Sequence, residues 1–146
     1  MSFLLLFWGF SYLCLRLPEH ESVRDRMREI LKLEEIACNT IIVMEVSHYL
    51  VRNFTERTAR KKINYFVNLG TMKITDFNKV ILNQAIESLL ARGYSEGLGG
   101  RDATIIATMK MQNIMKIVSH DNMFKRLEKE LKFEVIDPVQ PTKSKY

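Results

Sequence analysis

The chain has 146 residues, 47% hydrophobic and 27% charged, enough apolar material for one soluble domain with a real core. Lys and Arg outnumber Asp and Glu by 22 to 17, and the net charge of +5 favours anionic partners, nucleic acid first, without selecting a fold. No Pro/Gly/Ser-rich linker or internal repeat divides the chain, and its two cysteines, Cys14 and Cys38, lack the spacing of a zinc site and read as buried, reduced thiols of a cytoplasmic protein.

The first apolar run, FLLLFWGFSYLCL, is shorter than the roughly 20 residues of a membrane span. No basic residue precedes it and no small-x-small cleavage site follows, so it is read as a buried strand. Pro18, Glu19 and Glu21 suit the start of a helix over 19–33, with Val23, Met27, Ile30 and Leu31 at helical spacing. EIACN, 35–39, is a short strand. Thr40 is the expected cap of the next helix, which carries Ile42, Val46, Tyr49 and Leu50. A helix over 55–69 turns Ile63, Phe66 and Val67 inward and is closed by Gly70. MKIT, 72–75, is a strand. Asp76 is then expected to cap a helix over 77–92, with Val80, Ile81, Ala85 and Leu89 inward and Gly93 as its stop. After a flexible loop over 93–100 come a helix over 102–114, a strand over 116–119, a helix over 122–131 and a strand over 133–136. Pro138 closes the domain, assigned to 1–138, and 139–146 is a polar tail.

Short apolar strands alternating with helices predict an α/β fold: a three-layer α/β/α sandwich around a mainly parallel sheet. Right-handed crossovers bring strand ends and helix starts to one edge, where ligands bind. Asp102 begins a helix at that edge and Asp121 follows a strand there. Glu45 lies in the first turns of the helix after EIACN, with apolar neighbours on both sides. Three such carboxylates suit Mg²⁺ or Mn²⁺, since clustered acids repel and need a cation to stay ionised together. Such an ion assists hydrolysis of a phosphodiester. A helix N-terminus favours the ionised form of Asp102. Each acid also has a plainer reading: Asp102 as a first-turn helix acid, Asp121 as a cap and Glu45 as a solvent-facing side chain.

Around these acids, Arg101 either pairs with a carboxylate or contacts phosphate. His48 reads as a helix-surface histidine, and His120 is expected to point away from the face of Asp121. The basic run RTARKK, 57–62, with Lys110, Lys116, Lys125 and Arg126, either guides RNA phosphates or forms a solvated face. Tyr49, Phe54, Tyr65 and Phe66 either cover a homodimer surface or lie buried, and the methionines of 109–115 suit core or a dimer face.

The contexts of the acids resemble the PIN domain, the fold of the VapC toxin ribonucleases. GGRDATIIATMK resembles the family's Asp-Ala-x-Ile-x-Ala-Thr helix, IVSHDNMF its strand ending in Thr/Ser-x-Asp-x-x-Phe, NTIIVMEVSHYLVR its acid-bearing second segment, and EVIDP its final strand. The resemblance implies that Glu45, Asp102 and Asp121 share a Mg²⁺ or Mn²⁺ ion. It further implies that Ser119 stands near the site as a hydroxyl donor, and that RNA is the substrate. The partners it implies are a cognate antitoxin and a second copy in a homodimer, with no membrane. One departure stands out. The family's first strand ends in Asp-Thr/Ser-Asn/Ser, whereas Phe7 or Trp8 holds the acid's place here and no acid precedes Glu19. That departure carries a second reading: a degenerate, non-catalytic PIN module that binds RNA or a protein partner. An upstream start or a frameshifted beginning would also produce it.

Overall fold

A computed structural model describes residues 2–5, 21–33 and 35–139. Phe7, Trp8, Cys14, Pro18, Glu19 and the tail from 140 lie outside the described residues. The elements in chain order are β1 (Ser2–Leu5), α1 (Glu21–Leu33), β2 (Glu35–Asn39), α2 (Thr40–Asn53), α3 (Glu56–Val67), β3 (Met72–Thr75), α4 (Lys79–Glu96), α5 (Gly100–Met111), β4 (Lys116–Val118), α6 (Asn122–Leu131) and β5 (Glu134–Ile136).

The five strands form one sheet in the order β3-β2-β1-β4-β5. Every pair is parallel, with Leu4 opposite both Ala37 and Ile117, and Val118 opposite Ile136. The expected α/β fold is therefore present. Right-handed crossovers put α1–α3 on one face and α4–α6 on the other. The direction of winding reverses between β1 and β4, so the C-terminal ends of those two strands flank the crevice where such sheets bind ligands.

β2 reads EIACN and is buried from Ile36 to Asn39, as a strand covered on both faces should be. Cys38, the thiol expected to be buried and reduced, is free and closed off from solvent, and burial pushes its pKa up to about 12. The most enclosed helix is α5, where all residues from Ala103 to Met109 are buried. A helix covered on all sides shows no polar stripe, and its two threonines satisfy their hydroxyls locally. Thr104 Oγ1 donates to Arg101 O at 2.7 Å and Thr108 Oγ1 to Thr104 O at 2.8 Å. By contrast α6 is amphipathic, with Met123, Phe124 and Leu127 inward. Phe133 meets the Phe124 ring edge-on at 6.4 Å between centroids.

Several helix ends differ from the sequence expectation. Asn39, not Thr40, caps α2: its Oδ1 accepts from Ile42 N at 2.9 Å. The Thr40 hydroxyl is taken by the Phe77 N–H at 3.0 Å, which fixes the turn after β3. Asn78, not Asp76, caps α4, with Oδ1 3.0 Å from both Val80 N and Ile81 N. This cap places Ile81 and Ala85 inward and leaves Val80 55% exposed. α4 does not stop at Gly93. It runs to Glu96 and ends at Gly97, whose φ of +70° makes it the left-handed cap. The packing of α4 along α5 outweighs the roughly 1 kcal/mol that a glycine costs inside a helix. The loop expected over 93–100 shrinks accordingly to 97–99. α3 ends at Val67 rather than at Gly70, and α5 begins at Gly100 and ends at Met111. Phe66 is buried, Tyr49 and Phe54 are partly buried, and Tyr65 is exposed. Met109 is core, whereas Met111 and Met115 are exposed.

Asn39 joins the two halves of the structure. Its Nδ2 stands 3.1 Å from Thr108 Oγ1 and 3.4 Å from both Thr104 O and Thr104 Oγ1 on α5. Asn39→Ala removes a cap and strands buried acceptors, so a loss of about 2–4 kcal/mol in urea unfolding is expected. Asn39→Asp keeps the cap oxygen but lacks the amide donor and buries a carboxylate, so at pH 7 it should cost at least as much as Asn39→Ala.

Candidate functional site

The C-terminal edge of the sheet carries the three acids. β4 ends at Val118, and the chain turns through Ser119, His120 and Asp121 into α6. Two Ser119 bonds shape this turn: its N–H donates to Ile136 O at 3.0 Å, and its Oγ accepts from Asp121 N at 3.0 Å. Ser119 is buried and spends its hydroxyl on the Asp121 backbone. Asp121 Oδ1 accepts from Met123 N at 2.8 Å. The plain reading of Asp121 as a helix cap therefore holds, and a carboxylate keeps a second oxygen for other work.

Asp102 sits in the first turn of α5, which Gly99 caps with backbone alone. Its side chain is only 13% exposed. Burial raises its pKa above the ordinary value; Arg101 opposes this by charge and hydrogen bond, and the charge of Asp121 adds to the rise. Glu45 reaches the same place from the second turn of α2. Burial raises its pKa as well, with Arg101 opposing and Asp102 adding to the rise. Glu45 therefore feels the charge of Asp102, and Asp102 that of Asp121.

Arg101 links two of them. Its Nε stands 3.3 Å from Asp102 Oδ1, and its Nη1 stands 3.7 Å from Glu45 Oε2. Of the two roles expected for it, pairing with a carboxylate is the one seen. Glu45 Oε2 is closed off from solvent and accepts no hydrogen bond. Among the described residues, no group of three or more His, Cys, Asp and Glu side chains is assembled to hold a metal ion. The donors still suit a hard divalent cation: carboxylate oxygens only, one of them buried without a donor, and two acids disfavoured in their charged form where they stand.

Sequence reasoning passed over two residues here. Asn39 starts the helix of Glu45 and bonds to the helix of Asp102, and its signal is an Asx residue directly before a helix. Asp137 secures the turn that carries Asp121. His120 Nδ1 lies 3.0 Å from both Asp137 oxygens, Lys125 Nζ lies 2.6 Å from Oδ2, and Val139 N donates to Oδ1 at 2.9 Å. Burial alone would raise Asp137, but Lys125, the Val139 N–H and His120 carry it below the ordinary value. His120 thus points to Asp137, as its expected orientation away from Asp121 requires.

The acids have opposite linkage to pH. A depressed Asp137 contributes stability above the ordinary carboxylate pKa of about 4, lost as pH falls through its folded value. Raised Glu45 and Asp102 cost stability when ionised, and the cost disappears as pH falls through their folded values. Thermal unfolding should therefore show Asp137→Asn with a lower Tm at pH 7 and a deficit that shrinks towards pH 3. Asp102→Asn should match or exceed wild type at pH 7, and any gain should vanish below pH 4.

The same architecture occurs in solved structures of low identity. FitAcB from Neisseria gonorrhoeae aligns with a TM-score of 0.71 at 15% identity, over 95% of this chain and 99% of that one. VapBC2 from Rickettsia felis, bound to a DNA fragment from its promoter, gives 0.69 at 19% identity over 93% and 98%. Mycobacterium tuberculosis VapC20, a Sarcin-Ricin loop cleaving toxin, gives 0.71 at 17% identity over 86% and 94%. No helix among the described residues is long and apolar enough to cross a membrane. The sequence has no significant match among curated proteins. It does match the PIN domain family across residues 10–130, which takes in Glu45, Asp102 and Asp121, and the chain belongs to the PIN domain family.

Proposed function

We propose that this PIN domain is a metal-dependent endoribonuclease, the toxin of a toxin–antitoxin pair, with Glu45, Asp102 and Asp121 as its metal-site acids. The observation that carries the reading is a line of contact between carboxylates of α2, α5 and the β4–α6 turn: Arg101 stands 3.7 Å from Glu45 and 3.3 Å from Asp102, Glu45 feels the charge of Asp102, and Asp102 that of Asp121. These acids would hold Mg²⁺ or Mn²⁺, which when bound supplies positive charge to a phosphodiester and helps ionise water. Asp121 orients one oxygen by capping α6, Ser119 fixes the turn that carries Asp121, and Asn39 starts the helix of Glu45 while bonding to that of Asp102. Arg101 and Ser119 are the assigned substrate-side residues, Arg101 through its guanidinium and Ser119 through the turn it shapes. The net charge of +5 suits RNA. The solved neighbours include toxin–antitoxin complexes, some with DNA. They support an antitoxin as partner and a cytoplasmic setting. Exposed Leu82, Ile86 and Leu90 on α4 suit a surface covered in a homodimer.

The second reading, a PIN module without catalysis that binds RNA or a protein, draws on the missing acid at Phe7 or Trp8 and on the absence of an assembled cage among the described residues. Calorimetry with Mn²⁺ separates the two. The nuclease reading expects binding that Asp102→Asn weakens at least tenfold, together with Mn²⁺-dependent RNA cleavage lost in the same variant. Wild-type protein that takes up no Mn²⁺, or cleavage that survives Asp102→Asn, would overturn it.

A further inference from the structure

We infer that Arg101 is an exchangeable counter-ion: it neutralises Glu45 and Asp102 while the acids hold no metal ion, and a divalent cation entering between them frees it to grip a substrate phosphate. The inference rests on the carboxylate reading above and deepens it by giving Arg101 two successive partners.

Three observations carry it. Arg101 faces both acids, with Nη1 3.7 Å from Glu45 Oε2 and Nε 3.3 Å from Asp102 Oδ1, so its charge serves the two carboxylates that a dication would bridge. Its hold is loose. The 3.7 Å approach to Glu45 Oε2 is too long for a hydrogen bond, and the 3.3 Å contact to Asp102 Oδ1 is longer than a strong charge-assisted one. The same structure contains tight ion pairs, Arg92–Glu130 and Lys125–Asp137, both at 2.6 Å. Finally, Glu45 Oε2 is buried with no hydrogen bond, and Arg101 leaves that oxygen unsatisfied.

The electrostatics then set the direction of exchange. Coulomb attraction scales with charge and inversely with distance. A divalent ion bound directly by a carboxylate oxygen carries twice the charge of Arg101 at about 2.1 Å, well inside the present 3.3 and 3.7 Å contacts. The displaced guanidinium is 38% exposed and rooted in the first turn of α5 at the sheet edge. Its planar fork of donors matches a phosphate in geometry and charge.

The test measures Mn²⁺ binding by calorimetry on wild type, Arg101→Ala and Arg101→Gln, with Asp102→Asn as the control. Removing the competing cation should tighten Mn²⁺ binding about twofold to fivefold, the scale of a partly exposed ion pair. Arg101→Gln keeps most of the side-chain packing and should show the same gain if Arg101→Ala folds poorly. Binding of a single-stranded RNA oligonucleotide, with Ca²⁺ replacing Mn²⁺ to hold back cleavage, is then followed against salt. Loss of one phosphate contact should reduce the log–log slope by about 0.7. Unchanged or weaker Mn²⁺ binding in both Arg101 variants, with binding still lost in Asp102→Asn, overturns the counter-ion role alone. An unchanged salt slope overturns the transfer to phosphate. If no protein, wild type included, binds Mn²⁺, the carboxylate reading falls and this inference with it.

Discussion

The hydrogen bonds of Asn39 are the constraint on which the site depends. One side chain stands at the end of β2, starts α2 through its oxygen, and ties α5 to both through its amide. Glu45 and Asp102 lie 57 residues apart in the chain, and the Asn39 side chain bonds both to the start of the helix that carries the first and to the helix that carries the second. The contact is buried, so it is worth most where it is satisfied and costs most where it is broken. Thr104 and Thr108 are suited to the task. Their hydroxyls donate within α5 and still have lone pairs for Asn39.

The sheet edge sets two kinds of carboxylate side by side. Asp137 is surrounded by donors and acts as a structural anion, holding His120, Lys125 and the Val139 backbone. Asp102 and Glu45 are short of donors, crowded by other acids and partly shut off from water. The first arrangement stabilises the fold. The second stores an unfavourable charge that a cation relieves, a common signature of functional sites. The division is spatial: Asp137 secures the turn through His120 and Lys125, and Asp121 lies one residue after the first and four before the second, with one oxygen on the α6 cap.

The sequence shows the fold most clearly where one physical signal dominates. EIACN and MKIT are short apolar or β-branched runs between helices, and both strands fall where composition places them. The amphipathic pattern of α6 is equally plain. Helix ends were harder because neighbouring residues compete for one role. Asn39 and Thr40 can each cap, and only the Phe77 N–H, from a distant turn, claims the threonine. Gly93 carries a stop signal, but contact with α5 overrides it. At the site, the acids could be read singly from strand ends and helix starts. Their linkage through Arg101 could not, because it depends on how close the fold brings the first turns of α2 and α5 at the sheet edge. Asp137 was hidden for the same reason, since its partners come from the turn before α6 and from α6 itself.

The enclosure of α5 has a consequence for motion. Amides from Ala103 to Met109 have no solvent-facing side, so their hydrogen exchange should demand global rather than local opening. The exposed face of α4, from Leu82 to Tyr94, belongs to the part that can open in pieces. Asp102 is thus mounted at the rim of a segment whose amides, among the described residues, should exchange slowly. Rearrangement around it falls to side chains, on the nanosecond scale of rotamer exchange, while the backbone beneath stays fixed.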